Sequence, residues 1–215
     1  MHCSAQTLEQ LNTQRLTHSF QVGDYLFHEG TEAEGLFCIK SGKVLIEKTR
    51  NQKVYPLRFL KQGYLLGMPA VFGHHKHFHA AKAISQVDAC FVSKANAYKL
   101  LETDPSFNKY VLLTLMQEME ELENRITRIS EQTAEQRVAE ILLDMQDTYG
   151  VEENGTLPLS VSFKFLATIT NLSDRTLHKV IDMFTGNDWL KLEYGKASLL
   201  NQLALKQLAR GRLVG

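Results

Sequence analysis

Cysteine is scarce in this 215-residue chain, and its three copies, Cys3, Cys38 and Cys90, are odd in number and lack any metal-type spacing. Neither a disulfide framework nor a zinc module is expected, and the thiols should stay reduced. Long apolar runs are missing too. No stretch approaches the roughly 20 residues that span a bilayer, and Met1 to Leu11 lacks the basic start and apolar core of a secretory signal. A cytoplasmic protein with no membrane partner is expected. Serine, histidine and aspartate are present, but no nucleophile motif, glycine-rich phosphate loop or paired-carboxylate spacing stands out, so an enzyme is the weakest reading. Net charge is absent, Lys+Arg and Asp+Glu being 24 each. What remains, 44% apolar and 22% charged residues, describes a soluble globular protein. At roughly 100 to 200 residues per domain, its length suits two domains.

The neutral total hides an uneven distribution. Residues 1–101 carry 12 basic and 7 acidic groups, residues 102–153 carry 4 and 13, and residues 160–215 carry 8 and 4. A basic tail end beside an acidic middle points to a polyanion partner for one domain only. From Phe20 to about Val92 the texture is short apolar runs with period-two character, such as Phe37-Cys38-Ile39-Lys40 and Lys43-Val44-Leu45-Ile46, punctuated by glycines. Many short strands joined by tight turns predict a β-sandwich or β-barrel.

After Asp104-Pro105 the texture becomes helical for about forty residues. Leu112, Leu115, Met119, Leu122, Ile126 and Ile129 fall at alternating spacings of three and four, the a/d seam of a coiled coil, with charged flanks. Such a helix pairs with a second copy of itself or packs on its own domain. The pattern resumes at Val138, Ile141, Leu142 and Met145 and breaks at Tyr149-Gly150 and Asn154-Gly155.

From Ser160 two short helices around a tight turn are predicted. Leu166, Ala167 and Ile169 form the apolar side of the first, Asn171 takes the left-handed turn position, Leu172 plugs the angle, and Ser173 caps the second helix. The apolar face of that helix is Leu177, Val180, Ile181 and Phe184. This is a helix-turn-helix pattern. Its second helix exposes Asp174, Arg175, Thr176, His178 and Lys179 where a recognition helix meets base edges, and Ser162 ahead of the first helix is a further candidate DNA contact. Two short strands around Gly195-Lys196 make a wing able to bring Lys196 to a phosphate.

The whole chain resembles the Crp/Fnr family of bacterial transcription regulators. The residues that carry the resemblance are Gly23-Asp24-Tyr25-Leu26-Phe27-His28-Glu29-Gly30, Gly35-Leu36-Phe37-Cys38-Ile39, Ser41-Gly42-Lys43-Val44, Gly67, the long helix, and Leu172-Ser173-Asp174-Arg175-Thr176-Leu177 ahead of Lys179. It implies an α+β fold: a cyclic-nucleotide-binding-like double-stranded β-helix (jelly roll) over 1–104, a dimerisation helix over 105–133 and a winged helix-turn-helix over 134–215. It also implies double-stranded DNA, a second copy of the chain and RNA polymerase as partners. A two-fold dimer would set two recognition helices about 34 Å apart, so the operator should be an inverted repeat. Arg175 is the best candidate for bidentate readout of guanine, against pairing with Asp174 or a phosphate. Lys179 and Lys196 are expected on phosphate, and Thr176 and His178 on either. The family pattern in this turn is Arg-Glu-Thr, whereas this chain has Asp174-Arg175-Thr176, so the family's consensus operator does not carry over.

Family members that bind cAMP carry a Gly-Glu and an Arg-Ser pair, for ribose hydroxyl and cyclic phosphate. The matching region here reads Gly67-Met68-Pro69 and His77-Phe78-His79-Ala80. Without the charge-assisted contacts, cAMP is not expected as the effector and no cofactor is implied. Between Glu47 and Asp88 there is no acidic residue but seven lysines and arginines, together with His74, His75, His77 and His79. The sector suits either a small anionic effector or a plain solvated surface. No neighbouring Cys, Asp or Glu completes a metal sphere, so the histidine run reads as a surface loop rather than a metal or haem site. The three cysteines do not supply the cluster that the iron-sulfur branch of the family needs. The expected function is a homodimeric, sequence-specific regulator that is not cAMP-dependent and is effector-switched or constitutively competent. The rival is an anion- or cyclic-nucleotide-binding signalling module with a vestigial helix-turn-helix, and the salt dependence of DNA affinity separates the two.

Overall fold

The computed structural model describes residues 16–152, 155–157, 163–193 and 196–211. It forms two compact units, Met1–Glu123 and Asn124–Gly215. Among the described residues the first contains eight strands: β1 (Leu16–Phe20), β2 (Tyr25–Phe27), β3 (Gly35–Ser41), β4 (Lys43–Arg50), β5 (Lys53–Lys61), β6 (Leu65–Leu66), β7 (Ala80–Ala83) and β8 (Val87–Ser93). They build two four-stranded antiparallel sheets in the orders β1-β8-β3-β6 and β2-β7-β4-β5. Strand 1 thus pairs with 8, 2 with 7, 3 with 6 and 4 with 5, as if one long hairpin were rolled so that successive pairs fall alternately in the two sheets.

Side-chain alternation along a strand explains why this sheet pair has two cores. Ile39 of β3 and Val87 and Ala89 of β8 face the second sheet, joining Leu26, Phe27, Val44, Ile46, Leu60, Ala81 and Ala83. Leu36 and Cys38 of β3 and Cys90 and Val92 of β8 point to the other side, under the helices. Cys38 and Cys90 stand directly opposite each other across β3 and β8. Gly35 is obligatory at this crossing, because a Cβ there would run into the carbonyl oxygen of Val92 and the ring of Phe91.

Two helices cover that outer face. Ser93 Oγ accepts the Asn96 N–H at the start of α1 (Lys94–Thr103). Asp104 Oδ1 accepts the N–H groups of Ser106 (2.8 Å) and Phe107 (3.2 Å) at the start of α2 (Pro105–Glu131), where proline suits the first helical position. Phe107, Tyr110 and Val111, at helical i, i+3, i+4 spacing, bury one stripe of α2 against Leu36, Cys38, Cys90 and Val92. The seam residues lie on a different stripe and are bare: from Leu115 at 41% to Ile126 at 67%, with Leu112, Met119 and Leu122 between. The side chain of Ile129 lies outside the described residues.

The second unit opens with α3 (Ala134–Tyr149), started by a reciprocal cap in which Thr133 Oγ1 accepts from Gln136 N and Gln136 Oε1 accepts from Thr133 N. Val138, Ala139, Leu142, Met145 and Tyr149 are its buried face. Against it pack α4 (Phe163–Thr170), α5 (Asp174–Gly186) and α6 (Gln202–Ala209). The strands β9 (Leu190–Glu193) and β10 (Lys196–Leu199) form an antiparallel hairpin between α5 and α6. Among the described residues no helix is long and apolar enough to cross a membrane.

Candidate functional site

The turn between α4 and α5 is built from the residues the sequence pattern singled out. Asn171 has φ 54°, the left-handed conformation that stops α4. Leu172 N–H closes the turn on Ala167 O at 2.9 Å, and Ser173 Oγ accepts the Thr176 N–H at 3.2 Å to start α5. Leu177, Val180, Ile181 and Phe184 are buried. The opposite side of α5 presents Asp174, Arg175, His178 and Lys179 to solvent, with Thr176 half-buried. Thr176 Oγ1 lies 2.8 Å from Ser173 Oγ, so its hydroxyl belongs to the cap. Arg175 and Lys179 have no hydrogen bond or ion pair within the described residues, and the Asp174–Arg175 pairing is not formed. Ser162 lies outside the described residues.

Two residues that pattern reading missed hold this surface in place. Arg137 of α3 donates from Nη1 to the carbonyl oxygens of Thr170 (2.9 Å) and Asn171 (3.4 Å), stapling the turn from behind. These are the carbonyls that the end of a helix leaves without partners. Phe163 of α4 stacks on His178, ring centroids 4.2 Å apart and planes 24° from parallel. No local signal marked Arg137 or Phe163.

Lys196 is the first residue of β10, directly opposite Glu193, and residues 194–195 lie outside the described residues. Its Nζ reaches both carboxylate oxygens of Glu152 at 3.2 and 3.0 Å. The cause is the segment that follows α3: Leu157 N–H bonds Ala197 O, and Thr156 bridges Ser198, laying Glu152 alongside β10.

In the first unit, the seven residues matched to the family's ligand cassette have different surroundings. Gly67 (φ 93°) passes so close to His77 that a Cβ there would lie 3.5 Å from its Cε1. Met68 points to the helix-covered core, Pro69 is half-buried at the head of a π-helical turn over Ala70–His74, and Ala80 pairs with Glu47 in the sheet. His74 and His75 are exposed, as a surface loop requires, but His77 and His79 are buried. His77 lies flat on Phe27, centroids 3.8 Å apart at 10°, and His79 is 5.8 Å from the same ring. Phe78 between them is exposed, with Lys48 Nζ 5.4 Å over its ring. The reading of the whole run as a surface loop is corrected on this point: in the irregular segment just ahead of β7, residues 77 and 79 turn inward onto Phe27. Among the described residues no cluster of His, Cys, Asp or Glu could hold a metal ion.

The basic sector acquires counter-ions from other elements. Arg58 of β5 pairs with Glu118 of α2 at 2.9 Å, Arg50 with Glu29 at 3.8 Å and Lys76 with Glu32 at 3.7 Å. Tyr64 sits beside the first pair, its phenol pushed up by burial and by Glu121, against the opposing pull of Arg58. Burial, and then the cations Arg58 and Lys48 with His77, lower the His79 imidazole to about 4. A buried histidine of this kind stays neutral while the unfolded chain takes up a proton below about pH 6.5. Stability is therefore full above that pH and is lost as pH falls toward about 4, a range worth about 3 kcal/mol. Urea midpoints at pH 7.5 and 4.5 should differ less in His79→Leu than in the wild type, and an unchanged difference would remove His79 as the cause.

Against this geometry stand the comparisons. Residues 17–104 match the family described as "Cyclic nucleotide-binding domain". The transcriptional regulator SdrP of Thermus thermophilus is 28% identical over 203 residues, covering 92% of this chain and 96% of that protein. The chain thus carries a cyclic nucleotide-binding domain and is similar over nearly its full length to transcription regulators of the Crp/Fnr family. The crystal structure of TTHA1359, a CRP/FNR-family regulator also from Thermus thermophilus, superposes with a TM-score of 0.79 at 27% identity, covering 92% of this chain and all of that one. A CRP-like cAMP-activated global regulator of Mycobacterium tuberculosis is 23% identical over 185 residues, covering 85% of this chain and 82% of its own length. Together these place the antiparallel sheets and helices described above within the Crp/Fnr fold.

Proposed function

We propose that this protein is a homodimeric, sequence-specific DNA-binding regulator that recognises an inverted-repeat operator and does not require cAMP. In this reading the first unit is a jelly-roll effector domain. The bare stripe of α2 is the dimer seam, and α4, α5 and the β9–β10 hairpin are a winged helix-turn-helix whose α5 enters the major groove. RNA polymerase is the further partner that such a regulator requires.

The observation that carries it is the exposed N-terminal half of α5, where Arg175 and Lys179 have no partner within the described residues. An extended guanidinium can donate two hydrogen bonds to guanine O6 and N7, and Lys179 one turn on suits a phosphate. Lys196 contributes less, since Glu152 already neutralises it. Independence from cAMP rests on the ligand cassette. Gly67-Met68-Pro69 offers no carboxylate for a ribose, and residues 77 to 80 offer no arginine for a phosphate. The nearby guanidinium, Arg58, is taken by Glu118.

Selection of random duplex DNA with the purified protein and no added nucleotide is expected to enrich an inverted repeat. With Arg175→Ala the preference at one position of each half-site should fall by about 1 to 3 kcal/mol. Binding should weaken with salt by about 0.9 log units per log unit for each phosphate contacted. Enrichment only in the presence of cAMP would overturn the independence, and a salt-insensitive interaction with no sequence preference would overturn the DNA-binding reading.

A further inference from the structure

His178 is an exposed side chain of α5 that the protein nevertheless holds in a fixed orientation. Its Nδ1 lies 2.7 Å from the carbonyl oxygen of Asp174, one turn earlier. A carbonyl oxygen only accepts, so Nδ1 carries the hydrogen, and in the neutral ring Nε2 is left with its lone pair. The Phe163 ring lies against one face of the imidazole at 4.2 Å. Hydrogen bond and stack together remove the two torsions that let an exposed histidine wander. What the protein presents to solvent from the reading side of α5 is therefore an aimed acceptor, one turn from Arg175.

Acceptor chemistry separates base from backbone. A phosphate oxygen is itself an acceptor and gains nothing from Nε2. In the major groove the donors on base edges are the exocyclic amino groups, N6 of adenine and N4 of cytosine, whereas guanine and thymine present acceptors there. Resting on the DNA-binding reading above, we infer that His178 is a second specificity-determining residue, which accepts a hydrogen bond from the amino group of an adenine or cytosine. Phe163 is its positioning residue, in contact with the imidazole and not with DNA. Arg175 and His178 then read with opposite polarity, a donor pair and an acceptor, so each half-site combines a guanine preference with a preference for an amino-bearing base.

The test is a base-by-base affinity matrix on the selected operator, measured with the full chain as wild type, His178→Ala, Phe163→Ala and Phe163→Tyr. Wild type should favour adenine or cytosine over the other bases by about tenfold at one position distinct from that set by Arg175. His178→Ala should flatten that position and leave the others unchanged. Phe163→Ala should weaken the same position selectively, and Phe163→Tyr, which keeps the stack, should restore it. A purely structural role for Phe163 would instead lower affinity evenly across all positions. Since His178 is exposed, His178→Ala tests the reader even if Phe163→Ala does not fold. An unchanged matrix for His178→Ala, or a His178-dependent position that favours guanine or thymine, overturns the inference while the DNA-binding reading stands. Absence of any operator for the wild type overturns both.

Discussion

Replacing Met119 and Leu122 together by glutamate is expected to turn the protein into a folded monomer and to lower operator affinity by about a hundredfold or more, since linked half-sites gain that much from avidity. The helix α2 has two apolar stripes. The first, Phe107, Tyr110 and Val111, is already buried against β3 and β8, so the helix does not need the second to stay on its own domain. That second stripe leaves Met119 at 62% and Leu122 at 60% exposed. Large apolar residues in a row with a three-four spacing gain nothing from water and gain packing from a second copy. Two carboxylates at the centre of such a seam would face two more across the symmetry axis. Mass by light scattering, circular dichroism and operator titration on the same preparation decide the matter. A double variant that remains a dimer would remove α2 as the seam, and a monomer with unchanged affinity would remove the two-fold operator.

Phe107→Ala is expected to destabilise the first unit by about 3 to 5 kcal/mol, the usual cost of emptying a fully buried aromatic site. The ring is completely buried in the cluster shared with Leu36, Cys90 and Ala97, and it is the first anchor of α2 after the Asp104 cap. A useful contrast is Met116→Ala on the same helix. That side chain is 59% exposed, and its loss should change stability by no more than about 0.5 kcal/mol. Denaturant titrations of the two variants should therefore separate widely, and equal midpoints would mean that α2 is not held by its first stripe.

Much of the architecture was legible because its determinants are local. Short apolar runs between glycines announced the strands of the first unit, and Asp104-Pro105 announced the start of α2. In the second unit Asn171 and Ser173 announced the turn and cap that the structure contains, each through a conformation or hydrogen bond within a few residues of itself. The histidine run was harder. His74 and His75 lie on the surface, whereas His77 and His79 turn into the core beside Phe27, and nothing within the run distinguishes the two pairs. Their inward direction depends on distant chain, where the backbone of His77 bonds Gly30 and Thr31 and both rings meet Phe27.

The second apolar stripe of α2, the helix-turn-helix pattern and the unusual Asp174-Arg175-Thr176 order are properties of the sequence alone, because helical periodicity and capping act over three or four residues. The counter-ions and supports are not. Glu118 meets Arg58 across 60 positions of chain, Glu152 meets Lys196 across 44, and Arg137 reaches the turn carbonyl of Thr170 across 33. A charge in a sequence has many possible partners, and only the packing of sheets and helices selects one by bringing it within hydrogen-bond reach. That selection made Arg58 a paired residue instead of a waiting anion site. It also paired Lys196 with Glu152, and it set Phe163 under His178.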